Sequence, residues 1–308
     1  MKLNHKQQAT NHKLPTILVT GAKGQLGKKI IELITPISKL VLTDSDDMDI
    51  TNAEIVEKTF TKVKPDFVIH AAAYTQVDKA EENADFCTKI NVEGTRNIAN
   101  ATVKHEATLV YISTDYVFDG LKNTPYSEED IPNPLSIYGE TKYEGELIVA
   151  ETCPKHYILR ISWLFGELPE GHPGTNFVET MLRLAKERDE LTIVSDQIGS
   201  PTYTGDLVEI ISRFVSSQQS AVDDDRKPVP HGLYHFSGSG AASWYDFAVE
   251  IFKQTKTKIN VKAITSDQYP QKANRPTYSY LDKSKIESAL EMKVRPWQEM
   301  LKSYLEKR

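Results

Sequence analysis

Cysteine is scarce in this chain: Cys87 and Cys153 are the only two among 308 residues. Two thiols make no disulfide framework, and their spacing is not that of a zinc site. Long apolar runs are missing as well. None approaches the ~20 residues that span a bilayer, so no membrane segment is expected. The opening stretch, MKLNHKQQATNHKLPTILV, has no apolar core of the signal-peptide kind, and a reducing cytoplasm is the expected compartment. Positive charge is also in deficit. A formal net charge of -6 argues against broad nucleic-acid binding, which depends on Lys and Arg neutralising phosphates. Any anionic ligand must therefore be held locally.

What is present is an ordinary globular composition, 39% hydrophobic and 26% charged. The length passes the ~250 to 300 residues at which single cores stop growing, which suggests one large domain and a smaller one. Short β-branched runs alternate with helical patterns: TILVTG (16–21), KLVLTD (39–44), DFVIHAAA (66–73), TLVYISTD (108–115) and YILRISWLFG (157–166). They have the look of buried parallel strands. Between them QLGKKIIELI, NAEIVEKTFTKV, NVEGTRNIANATV and YGETKYEGELIVAE carry apolar residues near helical spacing. The pattern predicts an α/β fold, a Rossmann-type doubly wound parallel sheet with a smaller C-terminal substrate domain. Expected boundaries are a flexible tail at 1–13, a dinucleotide-binding domain at 14–166 to which the chain returns around 191–235, and a mainly substrate-binding region at 167–308. Within the latter, NFVETMLRLAKERDE (176–190) reads as an amphipathic helix and SSQQSAVDDDRKPVPHG (216–232) as a polar surface segment.

The first chemical motif is TGAKGQLG, with Gly21, Gly24 and Gly27 at three-residue spacing between a predicted strand and a predicted helix. Glycines allow a tight turn and close backbone approach, and a helix N-terminus offers free N–H groups to a pyrophosphate. Asp44, at the end of the second strand, stands where a carboxylate bonds ribose hydroxyls and repels a 2′-phosphate. Lys23, in the turn itself, has the opposite sign, so NADPH and NADH both remain open as cofactor.

The second motif is IYGETK (137–142). Residues four apart share a helix face, so the Tyr138 hydroxyl and the Lys142 ammonium can share a site. Gly139 and Gly145 each cost a helix about 1 kcal/mol relative to alanine, which close approach of a ligand or another backbone would explain. The preceding strand ends in STD, placing Ser113 and Thr114 at the carboxyl edge where open α/β sheets bind ligands. Carbonyl reduction requires a proton donor and a hydroxyl that bonds the developing oxyanion. A tyrosine whose phenolate is stabilised by a nearby cation can fill the first role.

Together, TGAKGQLG, STDYVF and YGETK resemble the extended short-chain dehydrogenase/reductases. IHAAAYTQVDKAE (69–81), STDYVFDG (113–120), NPLSIYGETKYEGE (133–146), RISWLFG (160–166) and DQIGSPT (196–202) are similar to the dTDP-4-dehydrorhamnose reductase family within them. The resemblance implies NAD(P)H-dependent reduction of dTDP-4-dehydro-β-L-rhamnose to dTDP-β-L-rhamnose. It implies that Gly24, Gln25 and Leu26 touch the cofactor pyrophosphate, Asp44 the ribose, and Asp49 with Ile50 the adenine side. Ala72, Ala73 and Tyr74 would line the cofactor, and Asn91 would support the site. Thr114 and Asp115 would meet the sugar, Tyr138 would donate the proton, Lys142 would bind the nicotinamide ribose, and Trp163 would contact substrate. In that setting Arg188, from the Arg183, Lys186, Arg188 helix face, is a candidate for the nucleotide diphosphate. A homodimer is compatible with the family. Some members hold Mg²⁺ between subunits through glutamates; lysines at 28 and 29 do not support that here, and no metal ligand is assigned.

Two rival readings share much of this. A nucleotide-sugar dehydratase or epimerase would keep Tyr138 and Lys142, but dehydratases carry Asp-Glu after the threonine, and here Tyr116 follows Asp115. A non-catalytic NADP-binding subunit of the methionine adenosyltransferase beta type would not need Thr114, Tyr138 and Lys142 intact. His70, His231 and His235 lack ligand-spaced partners and read as packed or surface residues, and Trp244 and Trp297 as core aromatics.

Overall fold

The computed structural model describes residues 14–172, 174–220 and 228–308. The tail expected at 1–13 lies outside the described residues, as does 221–227 of the expected surface segment. Residues 216–220 continue the helix Thr204–Ser220 instead of starting a linker.

Six strands form one parallel sheet: β1 (Thr16–Thr20), β2 (Lys39–Thr43), β3 (Phe67–His70), β4 (Thr108–Thr114), β5 (His156–Ile161) and β6 (Gly232–Phe236). Their spatial order is β6-β5-β4-β3-β1-β2. The direction of winding reverses at β1, which opens a crevice outside the carboxyl ends of β1 and β3, the ligand position in such sheets. Alternation along β1 sends Ile17 and Val19 into one apolar layer, with Ile30, Ile34, Leu207 and Ile211 of the helices Gln25–Ile34 and Thr204–Ser220. Leu18 enters the opposite layer with Val56, Phe60, Ile98 and Ile148. Helices thus cover both faces, which is why β1, β3 and β4 read as continuous apolar runs.

Some expectations change. β2 is an edge strand and Leu42 is exposed, not buried. The run expected as one strand over 157–166 breaks after Ile161, because Trp163 takes a left-handed backbone (φ 46°) and turns the chain into a two-residue strand, Leu164–Phe165, paired with Thr202–Tyr203. The helix expected from 91 begins as a π-helical turn, Lys89–Gly94, and becomes regular over Thr95–Lys104.

Beyond β5 the helix Phe177–Glu187 starts where Asn176 accepts from the Glu179 N–H at 2.9 Å. Strand Glu190–Val194 pairs with Asn260–Ile264, and the helix Trp244–Thr255 opens with a Ser243/Asp246 capping box. The chain then passes back across the sheet edge as an irregular strap, residues 269–283. No helix among the described residues is long and apolar enough to cross a membrane.

Candidate active site

The three glycines after β1 do different jobs. Gly21 has φ 71°, and a Cβ there would come within 2.7 Å of the Ala72 nitrogen. A Cβ at Gly27 would lie 2.3 Å from the Ala22 oxygen. Protein packing alone demands both. At Gly24 a Cβ would meet only the Gly21 oxygen, at an ordinary 3.4 Å. Gly24 is the N-cap of the helix Gln25–Ile34 and supplies no side-chain cap. An uncapped helix N-terminus fronted by open space fits a dinucleotide pyrophosphate. Leu26 turns its side chain into the core, leaving its backbone for a ligand. Gln25 donates to the Leu164 carbonyl at 3.3 Å, and its Oε1 is buried without a partner.

Beside this turn, Asp44 accepts the Lys23 N–H at 2.9 Å and the Ser45 N–H at 2.8 Å. The Lys23 ammonium is paired with Asp46, so it is not the free cation that the sequence suggested. Asp49 caps its own turn by accepting from Thr51. Ile50 is buried against Gly94, and its carbonyl accepts from Asn97. At the end of β3, the Ala72 N–H donates to Thr20 Oγ1 at 3.2 Å, and Ala73 and Tyr74 follow, half-buried. Asn91 is fully engaged with protein: Oδ1 accepts from the Tyr74 N–H at 2.8 Å, while Nδ2 reaches the Tyr74 carbonyl and Thr141 Oγ1. It ties the β3 loop to the helix Ile137–Thr152.

That helix starts at Ser136, whose hydroxyl accepts from the Gly139 N–H. Its two glycines serve packing against protein, since a Cβ at Gly139 would lie 2.3 Å from the Tyr116 oxygen and one at Gly145 2.2 Å from the Tyr111 hydroxyl. The helix is thereby pressed onto the end of β4. Tyr138 is half-buried with its ring edge-on to Tyr116, centroids 5.7 Å apart. Lys142 is 2% exposed, its ammonium 4.0 Å from the Tyr111 ring centre. Burial pushes the Lys142 ammonium down to about 7, opposed by the charge of Glu146, and pushes the Tyr138 phenol up, opposed by the Thr114 hydroxyl. The expected lowering of the tyrosine by its lysine is absent, because both groups are desolvated together. A phenol raised in this way is a weaker proton donor, so donation depends on a neighbouring cation that stabilises its phenolate.

Thr114 ends β4 and Asp115 follows, 1% exposed. Thr114 donates to Asp115 Oδ1 at 3.1 Å and Ser279 Oγ donates to Oδ2 at 2.5 Å, yet burial still raises Asp115 to about 7. Register pairs Thr114 with Ile161 of β5, so Trp163 lies just beyond, at the same edge. The Gly199 backbone rests on the Trp163 ring, and residue 198 is bonded on both sides to the strap, Ile198 N–H to Thr277 and Ser279 N–H to Ile198. Arg275 of the strap grips Asp78 with two bonds, 3.0 and 2.7 Å, and holds its carboxyl down at about 2.

Several features were not foreseen. Glu146, one turn beyond Lys142, is 3% exposed and forms a bidentate pair with Arg160 of β5 at 2.9 and 2.6 Å, while accepting from Ser113. A glutamate four residues after the lysine was the available signal. Trp244, expected in the core, is half-buried and stacks on Trp163. Trp297 is buried as expected, and His70 and His235 are packed, with burial lowering each to about 3.

Arg188 makes no contact with the residues described above. It is exposed, at the C-terminal end of a helix whose first residue, Phe177, packs on Trp244; eleven residues at 1.5 Å each separate the two by roughly 16 Å. No group of three possible metal ligands occurs among the described residues, and the buried Lys29 ammonium sits between Glu32 and Glu167, at 2.6 and 2.9 Å.

Residues 15–308 match the family model described as the RmlD substrate binding domain. A dTDP-4-dehydrorhamnose reductase of Aggregatibacter actinomycetemcomitans is 42% identical over 295 residues, covering 93% of this chain and 97% of the relative. Among solved structures, a dTDP-4-dehydrorhamnose reductase of Clostridium acetobutylicum is 42% identical with a TM-score of 0.87, over 94% of this chain and 98% of that one. The Bacillus anthracis enzyme in complex with NADP is 38% identical with a TM-score of 0.88, over 96% and 100%.

Proposed function

The chain belongs to the RmlD substrate binding domain family, and on that premise we propose that it reduces the 4-keto group of dTDP-4-dehydro-β-L-rhamnose, with NADPH or NADH, to give dTDP-β-L-rhamnose. The single observation that carries the reading is the convergence, at one sheet edge, of Tyr138, a buried Lys142 and Thr114 with the open, uncapped turn at Gly24. The cofactor, when bound, supplies the hydride. The chain does the rest. Gly24, whose own N–H donates to the Gly21 carbonyl at 3.2 Å, gives the pyrophosphate room, the backbone N–H groups of Gln25 and Leu26 receive it, Asp44, Asp49 and Ile50 flank the adenosine, and Ala72, Ala73 and Tyr74, braced by Asn91, line its path. Thr114 turns its one hydroxyl proton from Asp115 to the substrate carbonyl oxygen as charge develops there, and Tyr138 transfers its phenolic proton to that oxygen. Lys142 binds the nicotinamide ribose and stabilises the phenolate left behind. Asp115 and Trp163 orient the sugar. For the diphosphate, Arg275 of the strap is favoured over Arg188 by its place beside Tyr116.

In this division of labour residues 14–166, with a return around 191–235, carry the cofactor, and 167–308 mainly the sugar nucleotide. The test is oxidation of NADPH and of NADH followed at 340 nm with enzymatically prepared dTDP-4-dehydrorhamnose. Stoichiometric oxidation is expected; no substrate-dependent oxidation with either cofactor would refute the assignment.

A further inference from the structure

Trp163 is strained. Of the five described non-glycine residues with positive φ, Lys64 and Lys256 are helix C-caps and Glu106 and Glu291 are charged residues in turns. Trp163, at φ 46°, is instead a bulky aromatic set between β5 and the Leu164–Phe165 strand, a conformation that persists only where its surroundings impose it. On the backbone side the constraints are plain: Ser162 Oγ donates to the Ser200 carbonyl at 2.5 Å, Thr202 Oγ1 to the Ser162 carbonyl at 2.5 Å, and the Thr202 N–H to the Trp163 carbonyl at 3.2 Å. On the ring side two contacts act. Gly199 lies so close that a Cβ would come within 2.8 Å of Cε2, and the Trp244 indole stacks at 3.7 Å between centroids with planes 11° apart. Trp244 is fixed in turn as the first residue of a helix with a capping box, and by Phe177 at 4.7 Å.

We propose that Trp244 is a positioning residue of the sugar-nucleotide site, stacking on Trp163 to hold the indole and the strained chain beneath it in the orientation that meets the sugar. This rests on the reductase reading, in which Trp163 touches substrate. The location suits the role. Trp163 stands two residues beyond the register partner of Thr114, and through Gly199 and Ile198 it is joined to Ser279 and so to Asp115. Removing the stacking partner lets the backbone relax and turns the ring away, which affects sugar binding while leaving the Gly24 turn and the Tyr138 helix as they are.

Strain at one such residue corresponds to about 5- to 140-fold in an equilibrium constant, so Trp244→Ala is expected to raise KM for dTDP-4-dehydrorhamnose about tenfold. Turnover at saturation and the Kd for NADPH should stay within about twofold. Trp244→Phe, which keeps a stacking ring, should restore KM to within about threefold of the parent. Far-UV circular dichroism supplies an independent signature: the parent should show the exciton couplet of the paired indoles, and Trp244→Phe and Trp163→Phe should each lose it. Should Trp244→Ala not fold, Trp244→Leu carries the same KM expectation. An unchanged KM in the Ala or Leu variant overturns the proposal, as does an equal loss of kcat and NADPH affinity, which marks general damage, or failure of Phe to rescue. A parent chain that does not turn over dTDP-4-dehydrorhamnose refutes the reductase reading first, and this proposal with it.

Discussion

The proposed cofactor edge and the proposed sugar edge of this site are built in different ways. The pyrophosphate end of the first is local. Gly21, Gly24, Gly27 and Asp44 lie within one strand–helix–strand unit, and their positions follow from backbone geometry. The second is assembled from distant segments, and its joining contacts span 164 residues from Asp115 to Ser279 and 197 from Asp78 to Arg275. A local edge can keep one shape through large sequence change, whereas a long-range edge couples the sugar site to the placement of the whole C-terminal half.

Breaking the chemistry shared by both edges gives the largest expected effect. Tyr138→Phe should lower kcat at least about 10²-fold with little change in NADPH affinity, since proton donation contributes 10² to 10⁴; single-turnover rates and calorimetry check both halves. Next comes the contrast between glycines. Gly24→Val should fold with the parent's Tm but lose NADPH affinity by more than about tenfold, because its side chain fills the space left for the pyrophosphate. Gly27→Ala should lower Tm even without ligand, because its Cβ would meet the Ala22 oxygen at 2.3 Å. Equal melting temperatures for the two would remove the distinction between packing glycines and a ligand glycine.

The sugar edge is sharpened by Ser279→Ala. That change removes the hydrogen bond to Asp115, a charge-assisted contact worth about 1.5 to 3 kcal/mol when the carboxylate is ionised. KM for the sugar nucleotide should rise about tenfold and NADPH binding should not change. A pH effect follows from the same carboxyl. Burial raises Asp115 to about 7, while its unfolded-state value is ordinary, about 4. As pH rises between those values the unfolded chain releases a proton that the folded chain keeps, so stability falls across that window and is level above it. In Asp115→Asn this fall should be missing, and its Tm advantage over the parent should grow from pH 4 to 7; a constant difference would contradict the raised value. The smallest effect concerns cofactor choice. Asp44→Ala should move the ratio of kcat/KM values toward NADPH by a few-fold, because Lys23 remains paired with Asp46.

The same contrast decides how much was legible in the sequence. The parallel sheet, the glycine turn and the Tyr138–Lys142 face were readable, because each is set by periodicity or spacing within a few residues. Gly139 and Gly145 were visible as anomalies, though the close neighbours are Tyr116 and Tyr111, not a ligand. The Trp163 backbone turn, the Trp244 stack, the Arg275 grip and the Glu146–Arg160 pair were hidden because they depend on tertiary contacts that no local pattern encodes. Arg188 was proposed for the site on charge alone, and it stands exposed at the end of its helix.

The central claim is net hydride transfer to the sugar. The most direct measurement supplies dTDP-4-dehydrorhamnose with NADPH deuterated at the transferable position and locates the label in the product by mass spectrometry and proton NMR. The account predicts dTDP-rhamnose one mass unit heavier, with the deuterium at C4 and one NADPH consumed per product. An unlabelled product, or sugar isomerised without loss of NADPH, would contradict it.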